Sequence, residues 1–150
     1  MMKVCFDTCV IIDFLGKTKE CFDAFTSIDI ALLNKFQACC SASSTTDIVY
    51  LMHSRGFAKT QIEASKSIEN VLSLFKIISN NESDVIAANL SKMKDYEDAL
   101  IAHSAKRTGV DLIVTSNKKD FEHSPVTAIT PAEFINAFKP TDYDYEQGEI

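Results

Sequence analysis

Short apolar runs alternate with stretches of helical periodicity along nearly the whole chain, and that alternation limits the fold more than any single motif does. Lys3 to Phe6 reads as a strand, and Val10 to Leu15, apolar on all sides, as a buried first helix. Residues 18 to 36 place Phe22, Phe25, Ile28, Leu32, Leu33 and Phe36 at mixed three- and four-residue spacing, the stripe of an amphipathic helix. A strand over 37–42 follows. The hydroxyls of Ser43, Ser44, Thr45 and Thr46 then offer N-caps to a helix that Gly56 closes. Next come a helix over 58–74, a strand over 75–79, and helices over 82–93 and 96–107. The run 111–115 reads as a buried strand and 126–129 as a weak last one, before a helix that Thr130 caps and Pro131 opens, ending at Phe138. Strands and helices in this order predict an α/β domain with a central, mainly parallel sheet flanked by helices.

A chain of 150 residues can bury one core without disulfides or structural metal, and the expected domain is 1–138. The segment 139–150, TDYDYEQGEI after Lys139 and Pro140, carries four acids and no base after Pro140, and is expected to be mobile and to lie outside the core. Hydrophobic residues at 46% and charged residues at 24% exclude disordered and low-complexity classes. Five cysteines, an odd number without a C-x-x-C pair, suggest neither a disulfide framework nor a zinc ribbon, but reduced thiols. The first residues fit neither a signal peptide nor a membrane span, so a cytoplasmic protein with no membrane association is expected.

The net charge of −6 argues against nucleic-acid binding through overall positive charge. It leaves room for local basic pairs, of which Lys92 and Lys94, Lys106 and Arg107, and Lys118 and Lys119 are the candidates. The three histidines, His53, His103 and His123, have no metal-ligand spacing and read as surface residues. With four glycines and no glycine-rich phosphate loop, nucleotide cradling is not supported.

The carboxylates carry the chemistry. Asp7 leaves the first strand inside the apolar run CFDTCVIIDFL, where an ionised group is costly unless paired, hydrated or coordinated. Asp47 falls in the first turn after the 37–42 strand, Asp98 in the first turn of 96–107, and Asp120 just after 111–115. In an open parallel sheet, strand carboxyl ends and the helix starts that follow share the ligand-binding edge, so these acids are expected to converge. The same placements also cap helices: Asp7 could be an N-cap, Ser44-x-x-Asp47 and Asp95-x-x-Asp98 resemble capping boxes, and Asn117 could cap the turn containing Asp120. A converging all-oxygen cluster repels itself and suits Mg²⁺ or Mn²⁺ rather than zinc.

Four stretches in order, FDTCVIIDFL, SASSTTDIVYLM, DYEDALIAHSA and LIVTSNKKDF, followed by TPAEF, resemble the PIN-domain ribonucleases, which include the toxins of VapBC-type toxin–antitoxin pairs. The resemblance implies a PIN-like three-layer fold. Asp7, Asp47 and Asp98 match the family's first three acidic positions as catalytic metal ligands, and Cys9 stands where the family usually has Asn. Asn117 falls at the fourth acidic position, with Asp120 as the nearest substitute ligand; Thr8, Asp95, Thr115 and Asn117 are supporting residues. The implied activity is Mg²⁺- or Mn²⁺-dependent hydrolysis of RNA, with a cognate antitoxin and a homodimer as implied partners. The alternative is a non-catalytic interaction or regulatory module with weakened metal binding. A phosphotransferase using Asp7 as nucleophile fits poorly, because the second acid two residues on is missing.

Overall fold

The structure, a computed structural model, describes residues 1–144. Its strands are β1 (Lys3–Phe6), β2 (Gln37–Ser41), β3 (Lys76–Ile78), β4 (Leu112–Val114) and β5 (Ala128–Ile129). They form one sheet in the order β3-β2-β1-β4-β5, and every pairing is parallel. The helices are α1 (Thr8–Gly16), α2 (Cys21–Leu33), α3 (Ala42–Ser54), α4 (Gln61–Leu74), α5 (Glu82–Leu90), α6 (Tyr96–Arg107) and α7 (Pro131–Phe138), with a 3₁₀ turn at Lys118–Phe121.

Alternation along the strands builds three layers. Val4, Phe6, Ala38, Cys40 and Val114 face α1, α2, α3, α4 and α7, where Ile11, Ile48, Val71 and Phe134 are buried against them. Cys5, Cys39 and Ile113 face the opposite way, against Ala88 of α5, the alanines of α6 and Phe121 of the 3₁₀ turn. Both sheet faces are therefore covered, which is why the strands read as apolar runs. Each large side chain buried in this way stabilises the fold by about 1.5–3 kcal/mol.

Most element boundaries match the periodicity, and the helix caps explain several. Thr130 accepts a hydrogen bond from the Glu133 N–H while Glu133 reaches back to the Thr130 N–H, a reciprocal cap that fixes the start of α7 with Pro131 in its first position. The start of α3 differs. It begins at Ala42 with Ser41 as N-cap residue, so Ser44 lies buried inside the helix and no Ser44–Asp47 capping box forms. The hydroxyls of Thr45 and Thr46 bond back to the carbonyls of Ala42 and Ser43 at 2.6 and 3.1 Å. Threonines in this arrangement continue a helix rather than start it. Asp47 consequently stands in the second turn of α3, not the first.

The acidic tail also departs from expectation where it is described. Tyr143 donates a hydrogen bond to Asp29 Oδ2 at 2.7 Å and packs against the core, so this residue does not lie apart from it. The rest of the expectation for the tail, over 145–150, lies outside the described residues. Among the described residues no helix is long and apolar enough to cross a membrane.

Candidate functional site

From β1 the chain winds outward through β2 to β3, then returns to the other side of β1 for β4 and β5. The reversal leaves a crevice at the carboxyl ends of β1 and β4, the position where open α/β sheets bind ligands. Asp7 is the first residue beyond β1, and its N–H still pairs with the Val114 carbonyl of β4 at 2.9 Å. The side chain is only 3% exposed. One carboxylate oxygen accepts the Thr8 N–H at 2.8 Å, capping α1, while the other accepts the Thr115 hydroxyl at 2.7 Å and the Cys9 thiol at 3.3 Å.

Capping and site roles therefore coincide in one side chain. Burial raises the Asp7 pKa above the ordinary carboxylate value, while the donors from Thr115, Cys9 and Thr8 favour the ionised form and the charge of Asp95 opposes it. Cys9, at the position where Asn is usual in the resembled family, donates its thiol hydrogen bond to Asp7. Burial and then the charge of Asp7 push its thiol up to about 12, so it stays protonated and keeps its donor.

The opposite wall comes from the start of α6. Asp95 caps the helix by accepting the Asp98 N–H at 3.0 Å, and Asp98 turns into the cleft. Burial, followed by the charges of Asp7, Asp95, Glu97 and Asp120, pushes Asp98 up to about 8. Glu97, one residue earlier, rises to about 7 through burial, opposed by the Thr8 hydroxyl and reinforced by Asp47 and Asp7. The Thr8 hydroxyl lies 2.9 Å from Glu97 Oε1 and 2.8 Å from Ser44 Oγ; with one proton it donates to one of them at a time.

Asp7, Thr8, Cys9, Asp95, Glu97, Asp98, Asn117 and Asp120 line a cleft of about 200 Å³, with Leu51 and Arg55 on the α3 side. Thr115 lies beneath it, bonded to Asp7 and accepting the Asn117 N–H at 3.0 Å. Three of the four predicted acids, Asp7, Asp98 and Asp120, thus share one cleft. Asp47 is not among the residues lining it. From the second turn of α3 its carboxylate acts on Glu97 through charge and a side-chain hydrogen bond, both of which raise the Glu97 pKa.

Glu97 lines the cleft but was not among the candidates read from the sequence. Its signal was present in DYEDAL, where three acids occupy the cap and first turn of one helix, but a capping box accounts for only two of them. Asn117 does not cap through its side chain. His103, expected at the surface, is half-buried, with Nε2 enclosed and without a hydrogen-bond partner. Asp13 lies away from the cleft and accepts the Thr18 hydroxyl at 2.9 Å.

The donor set tests whether a hard divalent cation suits the cleft. Its side-chain donors are carboxylates, an amide and a hydroxyl, with one thiol already committed to Asp7. Burial, and then the mutual repulsion of the carboxylates, hold a proton on Asp98 near neutral pH, and Arg55 is the one cationic side chain lining the cleft among the described residues. In kind and charge these groups fit Mg²⁺ or Mn²⁺. Among the described residues no three acidic, His or Cys side chains already stand close enough to close a coordination shell. Ion binding at this cleft therefore requires side chains to draw together.

An α/β domain with a carboxylate cleft at its topological switch point describes a class of possible folds, and comparison with known proteins narrows it. The PIN domain family model matches residues 3–119, and the chain belongs to that family. No curated protein matches it. Similar solved structures include a chain of VapBC2 from Rickettsia felis bound to a promoter DNA fragment, with 16% identity over 86% of this chain and 98% of that one and a TM-score of 0.66. A chain of DNA-bound VapBC from Salmonella typhimurium shares 18% identity over 87% and 99%, with a TM-score of 0.64. A chain of a toxin–antitoxin complex from Klebsiella pneumoniae shares 21% over 85% and 97%, with a TM-score of 0.59. At these identities the likeness is one of fold.

Proposed function

We propose that this protein is a metal-dependent endoribonuclease that hydrolyses RNA phosphodiester bonds, acting as the toxin of a toxin–antitoxin pair. The observation that carries the reading is the convergence in one cleft of a buried, three-donor-held Asp7 with Asp98, Glu97 and Asp120, where burial and then the neighbouring charges push Asp98 up to about 8. A cluster so strained by its own charge is relieved by a divalent cation. Asp7 and Asp98 would hold Mg²⁺ or Mn²⁺, with Asp120 and the carbonyl oxygen of Asn117 as further oxygen donors at the rim. When bound, such an ion lowers the pKa of a water and stabilises charge on the scissile phosphate.

The chain's own side chains then have distinct tasks. Thr115, Cys9 and the Thr8 N–H hold the Asp7 carboxylate in one orientation. Arg55 offers a positive charge on the α3 wall to a substrate phosphate. Glu97, with a pKa near 7, is suited to take up a proton at Oε1, where the Thr8 hydroxyl contacts it. Asp47 raises the proton affinity of Glu97, and so contributes to catalysis at one remove. The fold shared with chains of toxin–antitoxin complexes supports an antitoxin partner and a cytoplasmic setting; a homodimer is part of the same reading.

Asn117 at the fourth acidic position and the open spacing of the carboxylates favour a second reading, a regulatory PIN module with weakened metal binding. Purified protein incubated with single-stranded and structured RNA in Mn²⁺, Mg²⁺ or chelator separates the two. The ribonuclease reading expects cleavage in either metal, none in chelator, and none by Asp7→Asn. Intact RNA in every condition would support the regulatory module.

A further inference from the structure

The basic pairs noted in the sequence have different surroundings in the fold. Arg107 is committed to Asp84, with Nε 2.9 Å from Oδ1, and also donates to the Ser79 carbonyl at 2.7 Å. It lies with Lys106 at the far end of α6, a helix of 12 residues and therefore about 18 Å long, away from the cleft. Lys94, Lys118 and Lys119 instead surround one open hollow of about 640 Å³, together with Glu122. Lys94 directly precedes Asp95, and Lys118 and Lys119 lie between Asn117 and Asp120. The hollow and the carboxylate cleft are thus lined by neighbouring positions of the same two segments.

Lys118 is partly neutralised by Glu133, 2.9 Å from Oε2. Lys94 and Lys119 are exposed and have no ion-pair partner among the described residues. In a chain with a net charge of −6, uncommitted lysines gathered beside an acidic cleft are a local reversal of sign. A polyanion with one charge per nucleotide can occupy both places at once, with one phosphate at the cleft and its neighbours over the lysines. An acidic peptide would meet the carboxylate wall with no such match.

We propose that Lys94, Lys118 and Lys119 form a phosphate-binding surface that receives the backbone of single-stranded RNA where it leaves the carboxylate cleft. The proposal rests on the ribonuclease reading for the identity of the polyanion. Lys94 and Lys119 provide most of the attraction, and Lys118 contributes less because Glu133 already holds it. Contacts of this kind are read through counterion release, at about 0.7 units of log–log salt slope per phosphate on a single strand.

The test measures binding of a fluorescently labelled single-stranded RNA to the full chain carrying Asp98→Asn, so that the RNA stays intact, with and without Lys94→Gln and Lys119→Gln together. Thermal melting checks that the lysine variant folds like its parent. The expected result is weaker binding with a salt slope shallower by about 1.4, so that the affinity lost between about 50 and 200 mM salt shrinks about sevenfold. Unchanged affinity and slope would overturn the proposal, as would competition by polyglutamate equal to that by unlabelled RNA. If the unmodified chain fails to cleave RNA in metal while the lysine effect persists, the nuclease reading fails and the surface stands.

Discussion

Asp7 caps α1 with the same carboxylate that is proposed to hold the metal, and substitution separates the two. Asp7→Asn retains a capping oxygen for the Thr8 N–H but presents an amide NH₂ to the Thr115 hydroxyl or the Cys9 thiol, both of which donate to it in the structure. It should cost about 1–3 kcal/mol of stability and abolish metal-dependent RNA cleavage. Asp98→Asn should also abolish cleavage, with the opposite effect on the fold above about pH 8, where Asp98 ionises: there it removes repulsion from Asp7, Asp95, Glu97 and Asp120, so the metal-free melting temperature rises. Thermal melts in chelator, read beside cleavage assays in Mn²⁺, check both signs. Asp13→Asn should leave cleavage intact, since Asp13 bonds Thr18 outside the cleft. The sequence made Asp7, Asp98 and Asp120 legible because an acid just after a parallel strand or at a helix start has a predictable direction. Hydroxyls that looked like caps turned back onto helix carbonyls and put Asp47 in the second turn of α3 rather than the first, and Glu97 was hidden behind a capping motif that needed only its neighbours.

At the scale of elements, α6 and α7 illustrate what local chemistry fixes. Both have the predicted bounds, because each has a cap residue whose side chain bonds the third helical N–H. Thr130→Ala should cost about 1 kcal/mol, seen as a lower midpoint in urea with unchanged slope and unchanged RNA cleavage. The same type of cap at α6 sits inside the candidate site, so Asp95→Ala should lower both stability and cleavage. Elements whose ends depend on tertiary packing were less legible. β5 shrinks to Ala128–Ile129, and α2 stops at Leu33, where Asn34 donates to the Phe138 carbonyl at the end of α7. No periodicity along residues 18 to 36 could announce a contact with a residue about a hundred positions away.

Across the whole molecule the cleft couples fold stability to pH. Glu97 and Asp98 titrate near 7 and 8 in the folded chain, against about 4 when unfolded. Between those values the folded state holds more protons than the unfolded state, so their contribution to stability is full below about pH 4 and declines as pH rises to about 8. Asp84, where the Arg107 hydrogen bonds outweigh burial, and Glu133, bonded to Lys118, are held below the ordinary range and act in the opposite sense only at lower pH. Metal-free protein should therefore melt at a lower temperature at pH 8 than at pH 5, and saturating Mn²⁺ should remove or reverse that trend by replacing the protons.

The carboxylates gathered at the switch point are expected to hold a divalent cation. Calorimetric titration of Mn²⁺ into metal-free protein at pH 8 tests it most directly. The prediction is saturable binding by the unmodified chain that releases protons, falls steeply in Asp7→Asn and Asp98→Asn, weakens modestly in Asp120→Asn, and tightens in Asn117→Asp. Absence of saturable binding by the unmodified chain, or equal binding by Asp7→Asn and Asp98→Asn, would contradict it.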